Sequence, residues 1–386
     1  MGWSANRTMG LTCHQPAQSF KGYTLLSPLQ GDSAYLLDMD GLIVRRWRFP
    51  DFRVLQSRLL PTGNLLVLCT EASLPPPPQT PFDQPPPLFG QQVRRLGGNA
   101  THLRELDWDG SLVWEYRNEA IHHDFVRLES GNTIVVEWVE LPPDLAREVR
   151  GGARRPREKF PPLLSDDIVE LDCEGKEVNR IHLWKLLDPV RDPICPLEQR
   201  WEWTHLNSLG CFLNGDLVFS CRQNSRVGII EKQTGGLRWK FGAPRVYHQH
   251  HATPLPNGNV QIFDNGMHRV GLPYSQVVEV DPSDDTSVWE YRGEPPEQFF
   301  SGHISGAERQ PNGNVLVCEG SSGRVFEVTR RGETVWEWVT PFMNLIGGSL
   351  RPWIFRAYRY APDFSGLAGH DLDPARYAEL NRLHGL

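Results

Sequence analysis

The chain has 386 residues, of which 35 are glycine and 32 proline, a share that argues against a mostly helical protein. Hydrophobic residues at 39% and charged residues at 23% suffice for a folded core and exclude a disordered chain. A net charge of −7 excludes a general electrostatic attraction for nucleic acid or anionic lipid, and no apolar run is long enough to span a membrane.

Residues 1–22 show no basic stretch followed by an apolar segment and read as an N-terminal extension, so a cytoplasmic location is expected. The seven cysteines (13, 69, 173, 195, 211, 221 and 318) are odd in number and form no CxxC pair, which points to reduced thiols. From residue 23 onward two patterns alternate. One is a Gly-containing turn followed by a β-rich run: PTGNLLVL at 61–68, ESGNTIVV at 129–136, LNGDLVFS at 213–220, PNGNVQIF at 256–263 and PNGNVLVC at 311–318. The other is an alternating strand, a polar turn and a further strand, usually carrying Trp. It begins with LLDMDGLIVRRWRF at 36–49 and recurs near 103–117, 168–183, 228–242, 277–293 and 325–339.

One hairpin of each kind makes a four-stranded antiparallel sheet, and a series of such sheets is a β-propeller. Five units fall at about 51–117, 118–184, 200–243, 246–293 and 300–340. A sixth is split, with its outer strands in 23–49 and an inner strand in WIFRAYRY at 353–360. The expected fold is therefore all-β, a six-bladed β-propeller over 23–367 whose sixth blade is closed by N- and C-terminal segments. Pro-rich inserts at about 73–100, 141–162 and 183–200 read as surface loops, because proline cannot join a ladder. Residues 368–386 form a tail with a short helix over about 374–384.

Histidines recur at matching places ahead of the turns: His123, His205, His250 and His303 each precede the turn Asn or Asp by nine or eleven residues. They open the inner strand of four blades and should converge on one mouth of the central channel. His122, His248 and His251 are neighbours, and strand alternation sends His250 and His251 to opposite sides. Such a ring suits either a metal or nucleophilic and acid–base chemistry on an anion. A metal site would want orienting carboxylates, for which Asp124, Asp264, Glu308 and Glu319 are in range, whereas Arg222 beside the ring suits an oxyanion. Trp201, Trp203 and Trp353 are weighed as walls of an aromatic pocket.

The segments HHDFVRLESGNTIVV (122–136), WTHLNSLG (203–210) with SCRQNS (220–225), HQHHATPLPNGNVQIFDNG (248–266), GHISGAERQPNGNVLVCEG (302–320) and IFRAYRYAPDFSGL (354–367) resemble the arylsulfotransferase family. These are the bacterial, nucleotide-independent aryl-sulfate sulfotransferases and their relatives. The resemblance implies a funnel-like channel and ping-pong transfer of a sulfuryl group from an aryl sulfate to a phenol through a sulfohistidine. Matched motif by motif, it implies His250 as nucleophile with His251 as the fallback, and His205 and Asn207 as donors to the sulfuryl oxygens. It further implies His123 or His122 as a donor or general acid, Arg222 as the neutralising cation, and His303 as a polar channel residue. The partner expected is a small aromatic molecule, with no nucleic acid, membrane, cofactor or metal assigned. Two other readings stand beside it: a metal-dependent propeller enzyme acting as lyase, hydrolase or oxygenase, and a non-catalytic binding propeller.

Overall fold

The computed structural model describes residues 8–74, 93–94, 96–153 and 162–386. Six sheets, five of four strands and one of five, are arranged as a six-bladed β-propeller. Blade 1 orders Ile354–Tyr360, Tyr23–Pro28, Ser33–Leu37 and Ile43–Arg48 from the inside outward. The next four blades run in simple sequence from the inner strands Phe52–Leu59, Ile121–Arg127, Leu206–Cys211 and His250–Pro254, and blade 6 from Gly306–Arg309. The C-terminal strand thus closes the ring against the N-terminal hairpin, as the split repeat implies.

The apolar core is distributed between the blades. Because side chains alternate along a strand, successive residues face opposite neighbours. Val218 joins the cluster between blades 4 and 5, while Phe219 joins the one between blades 3 and 4. Among the described residues each blade-to-blade interface holds one such cluster.

The recurring turns have a shared device. Gly63, Gly131, Gly215, Gly258 and Gly313 all sit at φ between +86° and +90°, where a β-carbon is strained. The following Asn donates to a glutamate on the third strand of its own blade: Asn64 to Glu105, Asn132 to Glu170, Asn259 to Glu279 and Asn314 to Glu327, at 2.6–2.8 Å. Blade 4 inverts the polarity, with Asp216 accepting from Arg238 at 3.2 Å.

Two features depart from the sequence reading. Gly10–His14, inside the expected extension, adds a fifth strand to the outer edge of blade 6 along Thr334–Val339. Parts of two inserts also leave the loop class, since Gly151–Ala153 pairs in parallel with Ile194–Gln199. Pro196 is tolerated there because the register slips between the two paired positions. Most of the first insert, 75–92, lies outside the described residues. In the tail, a 3-10 turn at Pro374–Tyr377 leads into a helix at Ala378–Leu383. Asn381 there accepts from the Ile43 amide and docks the tail on blade 1. No helix among the described residues is long and apolar enough to cross a membrane.

Candidate active site

The inner strands do not run straight into the channel mouth. Each of those in blades 3, 4 and 5 slips register near its start, at His123–Asp124, Asn207 and His251 respectively. His123, His205, His248 and His251 all take left-handed backbone conformations, with φ of +52°, +54°, +51° and +47°. A non-glycine residue there costs about 1–3 kcal/mol, and such strain gathers where a structure must aim a side chain. The bulge also overrides simple alternation, so His250 and His251 are separated by backbone geometry and not merely by opposite faces.

His250 is 2% exposed, and its Nδ1 lies 2.7 Å from Asn265 Oδ1. The Asn265 amide nitrogen donates to the Ser301 and Ile304 carbonyls, which fixes its oxygen towards the ring. An acceptor at Nδ1 places the proton on that atom and leaves the Nε2 lone pair free. Burial, then the Arg222 charge, holds His250 well below the ordinary imidazole range, with His205 and Arg356 adding to the effect. A neutral imidazole with a bare nitrogen is the nucleophilic form.

His205, His123 and His122 are linked through rings and carboxylates. His205 Nδ1 lies 2.8 Å from Glu202 Oε2, an oxygen that also accepts from Trp138 Nε1. The His205 and His123 rings meet edge to face at 4.4 Å between centroids. His122 stands behind His123, with Nδ1 atoms 2.7 Å apart, its Nε2 3.0 Å from Asp166 Oδ1 and its ring stacked on Trp138. It is fully buried, with His123 and Asp166 as its near neighbours. Burial first, then His205, His122 and His250, pushes His123 well below the usual range.

The other expected residues are placed as follows. Arg222 binds Glu198 at 2.8 Å and lowers both His250 and His303. His303 meets Trp353 edge-on at 4.4 Å, and its Nε2 has no hydrogen-bond partner among the described residues. Asn207 directs its amide nitrogen to the Gln249 carbonyl, tying blade 4 to blade 5. His251 accepts the Ala307 amide at 3.1 Å and packs beside Tyr358, pinned to blade 6. Trp203, weighed as a pocket wall, is a core residue with its indole donating to the Asp192 carbonyl.

The carboxylates beside His122 and His205 are Asp166 and Glu202, not the four named from sequence. Asp124 instead pairs with Arg356 and Arg58, Asp264 with Arg269, and Glu319 with Arg324, while half-buried Glu308 is pushed up to about 7 by its desolvation. Glu202 lies three residues before His205, and Asp166 sits in the polar half of the strand LSDDIVEL, beside Ser165 and Asp167. Arg356, fully buried in IFRAYRY, donates to Asp124 at 2.6 Å and to the Asn207 carbonyl at 2.5 Å. An arginine in an apolar strand was the available signal for it. A cleft of about 710 Å3 lined by Arg147, Arg150 and Val190 on the inserts holds none of these imidazoles.

The buried imidazoles make stability pH-dependent. His303 is lowered to about 4 and His248 to about 2 by burial and then Arg222, and His123, His250 and His251 are also lowered, burial being the first cause. Each takes its proton in the unfolded chain near 6.5 but resists it when folded, so stability is full above that value and drains as pH falls towards the depressed values. Each contributes a loss of about 1.4 kcal/mol per pH unit within its window. Glu308, raised to about 7 by burial, works the other way, favouring the folded chain as pH falls through its window. Urea midpoints should drop clearly between about pH 7.5 and about pH 5, and equal midpoints would contradict this burial.

Comparison with solved structures shows the fold. A protein of unknown function from Bacteroides caccae superposes with a TM-score of 0.52 at 11% identity, covering 88% of this chain and 98% of that one. A streptogramin B lyase gives 0.47 at 11% identity, covering 91% and 93%, and virginiamycin B lyase from Staphylococcus aureus gives 0.46 at 12%, covering 86% and 85%. No curated protein matches the chain. The family Arylsulfotransferase (ASST) matches residues 30–339, a span that takes in the four histidine-bearing blade segments from His122 to His303 and stops short of the strand Ile354–Tyr360, and the chain belongs to that family.

Proposed function

We propose that the chain moves a sulfuryl group from an aryl sulfate to a phenolic acceptor, with His250 as the nucleophile. The observation that carries this reading is the Asn265–His250 hydrogen bond, which leaves Nε2 bare on a neutral ring beside Arg222. Nε2 attacks sulfur, the S–O bond to the aryl group breaks, and the electron pair leaves on the phenolate oxygen. His205, held by Glu202, delivers the proton that the phenolate takes up. In the second half the acceptor phenol loses its proton to His205, its oxygen attacks sulfur, and the S–N bond breaks. Arg222 offsets charge on the sulfuryl oxygens, and His123, backed by His122 and Asp166, supplies a further polar contact. His303 at the mouth is suited to the anionic donor. The seven unpaired cysteines support a reducing, cytoplasmic setting.

Incubation with 4-nitrophenyl sulfate and phenol tests the reading. It expects nitrophenolate and phenyl sulfate to appear in equal amounts. Nitrophenolate with inorganic sulfate and no phenyl sulfate would make the chain a hydrolase, and no release of either would overturn the reading.

A further inference from the structure

The insert at 183–200 brings a second cluster to the propeller, distinct from the imidazoles used above. Cys195 lies on the strand Ile194–Gln199, whose Cys195 amide donates to the Gln223 carbonyl of blade 4. Blade 5 supplies His248, just before its inner strand, and His268, just after its second. Cys195 Sγ is 3.4 Å from His268 Nδ1, and that nitrogen is 3.1 Å from His248 Nε2. All three donor atoms fall within 4.8 Å of one another. Tetrahedral zinc with one sulfur and two nitrogen ligands places such atoms about 3.3–3.6 Å apart, given bonds of about 2.3 and 2.0 Å.

The surrounding groups fit the same geometry. His248 is fully buried, and its Nδ1 has no hydrogen-bond partner among the described residues. Glu198 Oε1 faces that nitrogen at 3.6 Å, which favours the proton on Nδ1 and turns the Nε2 lone pair towards His268. Two imidazole lone pairs and a sulfur then point at one place. Without an ion one proton on His268 Nδ1 bridges the gap to His248 Nε2, whereas a cation takes all three atoms as donors of lone pairs.

We propose that Cys195, His248 and His268 form a binding site for a borderline divalent metal of the zinc class. On binding, the Cys195 thiol gives its proton to solvent and coordinates as thiolate. Glu198 orients His248 from behind, and the fourth position is left to water or an anion. The ion fastens the 183–200 insert to blade 5, across the mouth where Arg222 and Glu198 meet.

The test uses the full chain under reducing conditions, stripped with a chelator and titrated with Co2+ and then Zn2+. The site predicts about one ion per chain, a near-ultraviolet thiolate-to-cobalt band that zinc removes, and a higher melting temperature with metal. Cys195→Ser should abolish the band, and His268→Ala, at a partly exposed position, should weaken binding about 10-fold or more while the far-ultraviolet spectrum stays unchanged. Absence of saturable binding to the wild-type chain overturns the proposal. So does a cobalt band that survives Cys195→Ser. These readouts do not depend on whether aryl sulfate is turned over.

Discussion

His250→Ala is expected to lower kcat for aryl-sulfate-dependent transfer by at least about 10^3-fold, because it removes the atom to which the sulfuryl group is bonded. The remaining cationic and N–H donors still bind the donor anion, so KM should change far less than kcat. Substitution of the neighbouring His251 makes the contrast. Its ring accepts the Ala307 amide and packs near Tyr358, so His251→Ala should reduce stability by loosening blades 5 and 6 while leaving a measurable chemical step. Circular dichroism separates the two effects. If His250→Ala retains more than about a tenth of the wild-type kcat, the nucleophile lies elsewhere.

Arg356→Leu should be the most destabilising single change in the channel, by about 3–5 kcal/mol, since it leaves a buried carboxylate short of its charge partner. Asp124 and Arg356 are both fully buried side chains, 2.6 Å apart. Despite burial, which alone would raise it, Asp124 is held at about 2, chiefly by Arg356 and then Arg58. Asp124 also accepts the Leu209 amide at 2.9 Å, so blades 1, 3 and 4 meet at this one carboxylate. Arg58 is only partly buried and cannot replace the whole interaction. The double variant Arg356→Leu with Asp124→Asn should therefore be more stable than Arg356→Leu alone. A double variant no better than the single one would mean that the ion pair does not organise the channel.

The propeller was legible because its information is periodic and local. Turn glycines at a fixed offset and Trp-bearing outer strands appear five or six times, so the blade count and the closure by 353–360 needed no long-range geometry. The histidines at matching positions were legible for the same reason. What holds those histidines was not. Asp166 reaches His122 from the third strand of the same blade, Asn265 reaches His250 from the end of the next strand, and Arg356 comes from the far end of the chain. None of these pairings carries a sequence period. The bulges at His123, Asn207 and His251 are equally silent, since one extra residue in a strand leaves the apolar pattern almost unchanged. The strand Gly10–His14 was missed because five residues of mixed character at a terminus look like any extension. Proline content in the second and third inserts hid the short ladder of Gly151–Ala153 with Ile194–Gln199 that carries Cys195 and Glu198.

The central claim is a covalent bond between His250 and sulfur. It is tested most directly by incubating the protein with 35S-labelled 4-nitrophenyl sulfate without acceptor, quenching in base and mapping the label by peptide. The account predicts label on the peptide containing His250, released as phenyl sulfate when phenol is added before the quench. Label that is absent from the turning-over wild-type protein, or that persists in His250→Ala, would contradict it.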